Sequence, residues 1–93
     1  MDSIIQTEKE CYVCHTTYNL HSHHCIYGTA NRKQSEKYGL KVWMCQEHHT
    51  GASGVHFNKD LDIHLKKVSQ EAFESKFGAR NEFIKVFGRN YLD

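Results

Sequence analysis

Polar and apolar positions change rhythm several times along this chain. Residues 1–10, MDSIIQTEKE, keep no period and predict a loose, flexible lead-in. YNLHSHHCIYG mixes β-branched and aromatic residues in a muddled alternation, which predicts a strand over residues 20–27, ended by Gly28. TANRKQSEKYG is polar and basic, so a loop with a short helical piece is expected, closed by Gly39. LKVWMC alternates, placing Leu40, Val42 and Met44 on one face of a second strand. CQEHHTGASG then turns into irregular, glycine-bearing chain. From about Lys59 the period becomes helical, with Leu61, Leu65, Val68, Ala72 and Phe73 at three- and four-residue spacings. Gly78 is placed like a C-cap, and ARNEFIKVFG predicts one more short helix with Phe83, Ile84 and Phe87 inward. The predicted order is two strands around a loop, then helix: an α+β domain over residues 11–93 with a helical extension from about 59.

Composition narrows the classes. Ninety-three residues make one small domain with a modest core, a size at which a structural metal is a common reinforcement. The apolar fraction of 39% and the mean hydropathy of -0.70 predict a soluble protein. No apolar run approaches the roughly 18 residues of a membrane span, so no membrane partner is expected. The first ten residues lack the basic-then-apolar pattern of a secretion signal, which predicts a cytoplasmic protein. A net charge of +1 gives no argument for nucleic acid, so any such argument has to come from a site.

The chemistry is concentrated in CYVCHTTYNLHSHHC and CQEHH. Cys11 and Cys14 form a C-x2-C pair, and Cys45 and His48 a C-x2-H pair. Two such hooks, far apart in sequence, make a tetrahedral Cys3His zinc site when the strands bring them together, and thiolates favour zinc over magnesium or calcium. Disulfides are the alternative for four cysteines, but the absence of a signal and the nearby histidines favour metal. His15 abuts the first hook and ranks behind His48 as the fourth ligand. Cys25 fits neither hook and is expected in the core. His21 is expected on the solvent face of the first strand, and His64 on the surface of the long helix.

His23, His24, His49 and His56 are left over, and here the chain resembles a known family. Cys11-x2-Cys14, His23-His24, Cys45-x2-His48 and His49 look like the zinc-containing branch of the HNH endonucleases. These belong to the ββα-metal, or His-Me finger, nucleases. The resemblance covers roughly residues 11–64, and YGTANRKQSEKYGLKVWMC followed by GVHFN also looks like small phage proteins of this type, among them the RecA-dependent phage nucleases.

The resemblance implies a small zinc-stabilised ββα-metal, treble-clef-like fold with a C-terminal helical tail. It implies a DNA endonuclease of phage or prophage, in a bacterial host, acting in recombination or DNA processing, with a RecA-type recombinase as a possible partner. Carried over by position, His24 is the general base and His23 a ligand of a catalytic divalent ion such as Mg2+ or Mn2+. His49 matches a family position, and His56, with glycines beside it, is placed slightly ahead of it as the direct ligand. The chemistry suits these residues: a water must lose a proton near neutral pH, and histidine titrates there. A hard cation offsets charge at the phosphate. Both doublet members reach one phosphate only at a strand end or bulge, since adjacent strand residues point to opposite faces. Arg32, Lys33, Lys37, Lys41, Lys66, Lys67, Arg80 and Arg89 could contact phosphates; Tyr38 and Trp43 are read as packing residues. One departure stands out. GLKVWMC has no asparagine where the family carries its central one, and Asn31 and Asn58 are the possible substitutes. A non-catalytic zinc module that binds nucleic acid or a protein partner is the competing reading.

Overall fold

The computed structural model describes residues 3–51 and 54–92. The chain runs β1 (Leu20–His24), α1 (Thr29–Tyr38), β2 (Lys41–Cys45), α2 (Gln46–His49), α3 (Lys59–Lys76) and α4 (Arg80–Phe87). It is a small α+β fold on one antiparallel two-stranded sheet, in which Leu20 faces Cys45 and His24 faces Lys41.

Two segments differ from the sequence reading. The first strand stops at His24, not at residue 27. Cys25 and Ile26 are both fully buried in succession, which no strand alternation permits, so the chain turns inward there. The segment between the strands is a ten-residue helix rather than a loop with a short helical piece. Among its described side chains only Ser35 is fully buried, and its hydroxyl donates to the Ile26 carbonyl at 2.6 Å. A helix buried along so narrow a line leaves no apolar period to read. Gly39, at φ 71, ends it in the left-handed conformation that suits glycine.

The lead-in is also corrected. Residues 1 and 2 lie outside the described residues, but residues 3–10 run against the outer edge of β2. Ile4 N–H donates to Gly39 O at 3.0 Å, and Tyr12 N–H to Trp43 O at 2.8 Å. The Ser3 hydroxyl donates to Lys41 O at 2.5 Å, and the Gln6 side-chain oxygen accepts from Trp43 N–H at 2.8 Å. These bonds occupy groups that an open sheet edge would leave unpaired.

Helix α3 matches its predicted amphipathic pattern at Leu65 and Phe73, and Asn58 caps it by accepting from Leu61 N–H at 3.1 Å. Gly78 comes one residue after the cap, Phe77. In α4 Phe83 and Phe87 are buried, but Ile84 is 39% exposed and Val86 packs inward instead. The core has two parts. Cys25, Val42, Met44, Val55 and Leu65 lie under the sheet, and Ile26, Leu40, Phe73, Phe83 and Phe87 join the helices, with Ile5 touching both. Cys25 is the core residue its position suggested, and burial pushes its thiol up to about 12. Tyr38 packs on Phe73 and Phe77, while Trp43 is half-buried under Lys9 Nζ, 4.9 Å from its ring centre. Among the described residues no helix is long and apolar enough to cross a membrane.

Phe83 and Ile84 separate the observed packing from the expected one. Phe83→Ala should cost about 3–5 kcal/mol and Ile84→Ala less than about 1 kcal/mol, read as shifts of the urea midpoint. Equal losses would place Ile84 in the core after all.

Candidate metal centres

The first cluster is built at one end of the sheet, where Leu20 opens β1 opposite Cys45, the last residue of β2. Cys11 and Cys14 sit on the turn before β1, Cys45 closes β2, and His48 lies one turn into α2. One ligand atom from each lies within 4.8 Å of the other three. Cys14 and Cys45 sulfurs are 3.8 Å apart, and His48 Nδ1 is 3.6 Å from Cys11 sulfur and 3.2 Å from Cys45 sulfur. A tetrahedral zinc with arms of about 2.3 Å to sulfur and 2.0 Å to nitrogen sets edges of about 3.8 and 3.5 Å. The donor set and its spacing therefore fit zinc. Burial pushes the Cys11 thiol up, but the backbone amides of Cys14, Cys45 and Val13 outweigh it and bring it down to about 6. That favours the thiolate a metal needs. His15, the second-ranked alternative, is outside this set. Its ring is exposed and pairs with Glu10 at 2.9 Å.

The second cluster is His23, His49 and His56, whose ligand atoms also lie within 4.8 Å of one another. Their rings are 5.1–5.6 Å apart, centre to centre. Three elements supply them: β1, α2, and the turn before α3. Gly54 lets that turn close, since a Cβ there would lie 2.8 Å from the His49 carbonyl oxygen. Its N–H donates to Gly51 O at 2.9 Å, and Val55 N–H donates to His48 O at 2.8 Å. His56 is exposed, His49 half-buried and His23 buried, so the set is open on one side. Three imidazoles with an open face are a donor set for a transition metal that also takes a substrate.

Burial, with the nearby charges of His49 and His56, holds the His23 pKa down to about 4. Burial likewise lowers His49, helped by His56 and His21. His23 Nε2 is buried with no hydrogen-bond partner. Neutral, unprotonated imidazoles are the metal-binding form.

A cleft of about 390 Å³ opens at this cluster, lined by Ser22, His23, His24, Tyr27, Arg32, His49 and His56. His24 is the last residue of β1, and both members of the doublet reach the cleft, as a strand end allows. His24 is not part of the three-histidine set. Its Nε2 meets Glu36 Oε1 of α1 at 2.8 Å, while Glu36 Oε2 takes Lys41 Nζ at 2.6 Å. Hydrogen bonds from Lys41 and then His24 hold the Glu36 carboxyl down at about 2. A carboxylate only accepts, so Nε2 carries the hydrogen and Nδ1 is the basic nitrogen of His24.

Several expectations are revised. His21 does not simply face solvent: its Nδ1 meets His49 Nδ1 at 3.0 Å. His64 is on the surface and meets the Tyr12 hydroxyl at 3.2 Å. Asn58 is spent on the helix cap, and Asn31 donates to Phe87 O at 3.3 Å, so neither takes the place of the family's asparagine. Of the cations, Arg32 lines the cleft, whereas Lys41, Lys66 and Arg80 are ion-paired with Glu36, Asp62 and Glu74. Tyr27 and Glu36 carry no sequence signal and reach the site only through the fold. No protein-family model, curated protein or solved structure matches the chain significantly.

Elemental analysis should find one zinc per chain in the wild type and none in Cys45→Ala, which should also lose its cooperative unfolding transition. Zinc-free wild type that unfolds cooperatively would refute the ligand set. Below its ordinary pKa of 6.5 an unfolded His23 binds a proton that the folded one, at about 4, refuses. The unfolded state then holds more protons, so stability is complete above pH 6.5 and is lost as pH falls toward 4. His23→Gln should flatten that fall in the urea midpoint; an unchanged slope would show that His23 titrates normally.

Proposed function

We propose that this chain is a metal-dependent DNA endonuclease of the HNH type, hydrolysing phosphodiester bonds with His24 as general base. The observation that carries this reading is the open three-histidine cluster beside a second, closed Cys3His cluster. A structural zinc needs none of the three histidines, yet the fold gathers them at one cleft with His24 and Arg32. A divalent ion held by His23, His49 and His56 would offset charge on the phosphate and its leaving oxygen. Three imidazoles suit nickel or zinc better than magnesium.

The chain's own residues take the remaining roles. Arg32 binds the phosphate and holds it over the cleft. His24 Nδ1 takes the proton of the attacking water, and Glu36 steadies the ring through Nε2. Glu36 thereby fills the place of the missing asparagine. A role in phage recombination and a RecA-type partner rest on the sequence resemblance alone.

The second reading is a zinc module without catalysis, binding nucleic acid or a protein. It is favoured by one observation: both candidate asparagines are committed elsewhere in the fold. Supercoiled plasmid incubated with Mg2+, Mn2+, Ni2+ or Zn2+ separates the two. The nuclease reading expects nicking or cutting, lowered about 10²–10⁴-fold in His24→Ala with zinc content and DNA binding kept. Glu36→Gln should lose less. Wild type inert with every ion would leave the module reading standing, and His24→Ala at the wild-type rate would remove His24 as the base.

A further inference from the structure

His21 and His23 stand two residues apart on β1, so their side chains share one face of the sheet. Their partners across the ladder, Met44 and Val42, are both buried, which makes this the inner face. His49 comes onto it from α2 and reaches both histidines. Its ring centre lies 5.1 Å from that of His21 and 5.2 Å from that of His23, edge-on to each. Only His23 and His56 join His49 in the three-donor set, and His21 neither belongs to it nor lines the cleft. What His21 has is a direct contact: its Nδ1 is 3.0 Å from Nδ1 of His49. At that distance between two imidazole nitrogens, one carries the hydrogen and the other accepts it.

We propose that His21 is a positioning residue of the open metal centre, accepting at its Nδ1 the Nδ1–H of His49 and so leaving Nε2 of His49 to the ion. A neutral imidazole carries one hydrogen, and the nitrogen without it is the one that binds a metal. With Nδ1 of His49 tied to His21, Nε2 is the nitrogen left to coordinate. The bond fixes the tautomer and the ring angle of His49, and it makes that imidazole a stronger donor. His49 is the ligand that gains most from such a hold. It is the last residue of a four-residue helix, whereas His21 is seated in the sheet ladder opposite Met44. The strand thus lends its rigidity to a ligand on a one-turn helix. This inference rests on reading His23, His49 and His56 as a divalent-metal site.

The test uses the full chain with its Cys3His zinc in place, titrated calorimetrically with Ni2+. His21→Ala should lower Ni2+ affinity about 10–100-fold with one zinc per chain retained. His21→Asn sets a carboxamide oxygen near the place of Nδ1 and should recover part of that loss. Nitrogen-15 spectra of the wild type with zinc in both sites should show His49 bound to metal through Nε2, with its hydrogen on Nδ1. His21 should carry its hydrogen on Nε2 and bind no metal. Affinity unchanged in His21→Ala, or no recovery in His21→Asn, overturns the proposal. So does a His49 bound through Nδ1, or a His21 nitrogen bound to zinc, which would make His21 a fourth ligand. Both are read in the wild type, so they stand even where the alanine variant does not fold. Wild type that takes up no second ion fails at an earlier step, removing the three-histidine site and this inference with it.

Discussion

Convergence of Cys11, Cys14, Cys45 and His48 on one point is the constraint from which the rest of the molecule is laid out. Two five-residue strands do not hold together alone in water. Here the turn bearing the first two cysteines is drawn onto the far end of β2, where Gln46 N–H also donates to Asn19 O at 3.0 Å. The end of the sheet where Leu20 pairs with Cys45 is thereby fixed, and the apolar clusters can form against a rigid platform. Zinc in such sites contributes on the order of 10–16 kcal/mol, against about 5–15 kcal/mol for the stability of a whole domain. A cluster of this kind is large enough to decide whether the sheet exists.

The same cluster explains why the histidines come in doublets. Residues 48 and 49 follow each other on a one-turn helix, where successive side chains diverge by about 100°. His48 turns to the sulfurs and His49 to the other centre. His23 and His24 diverge across the strand, one buried among histidines and one held by a carboxylate. Each doublet thus divides its members between two environments. The buried member is kept neutral by its surroundings, while Glu36 keeps its charge beside His24.

What could be read from the sequence was whatever has a local signature. The two hooks were legible because metal-ligand spacing is short-range, and α3 was legible because Leu65 and Phe73 repeat with the helical period. Helix α1 was not, since its buried Ser35 and its terminal Tyr38, which packs on Phe73, are too few to set an apolar period. The burial of Cys25 and Ile26 in succession breaks alternation, so the end of β1 was misplaced. Ile84 and Val86 are equally apolar, and only the angle at which α4 lies on Phe73 chooses between them. In the site, the histidines announced themselves by number. Glu36 did not, because an acidic residue on a helix is ordinary until tertiary packing sets it beside an imidazole.

The division of labour within α2 also sets where the chain tolerates changes of length. Cys45 and His48 belong to one cluster and His49 to the other, so one residue inserted or deleted between them would swing the following side chains by about 100°. Neither centre could be restored by sliding the strand, because a one-residue slip also reverses its faces. The connection between β1 and β2 is under a different rule. It begins at Gly28 and ends at Gly39, with α1 between them on the outside of the fold. Added residues near Gly28 lengthen a surface excursion without moving a cysteine. Relatives of this chain should therefore vary in length before α1, and hold their spacing from β2 to the end of α2.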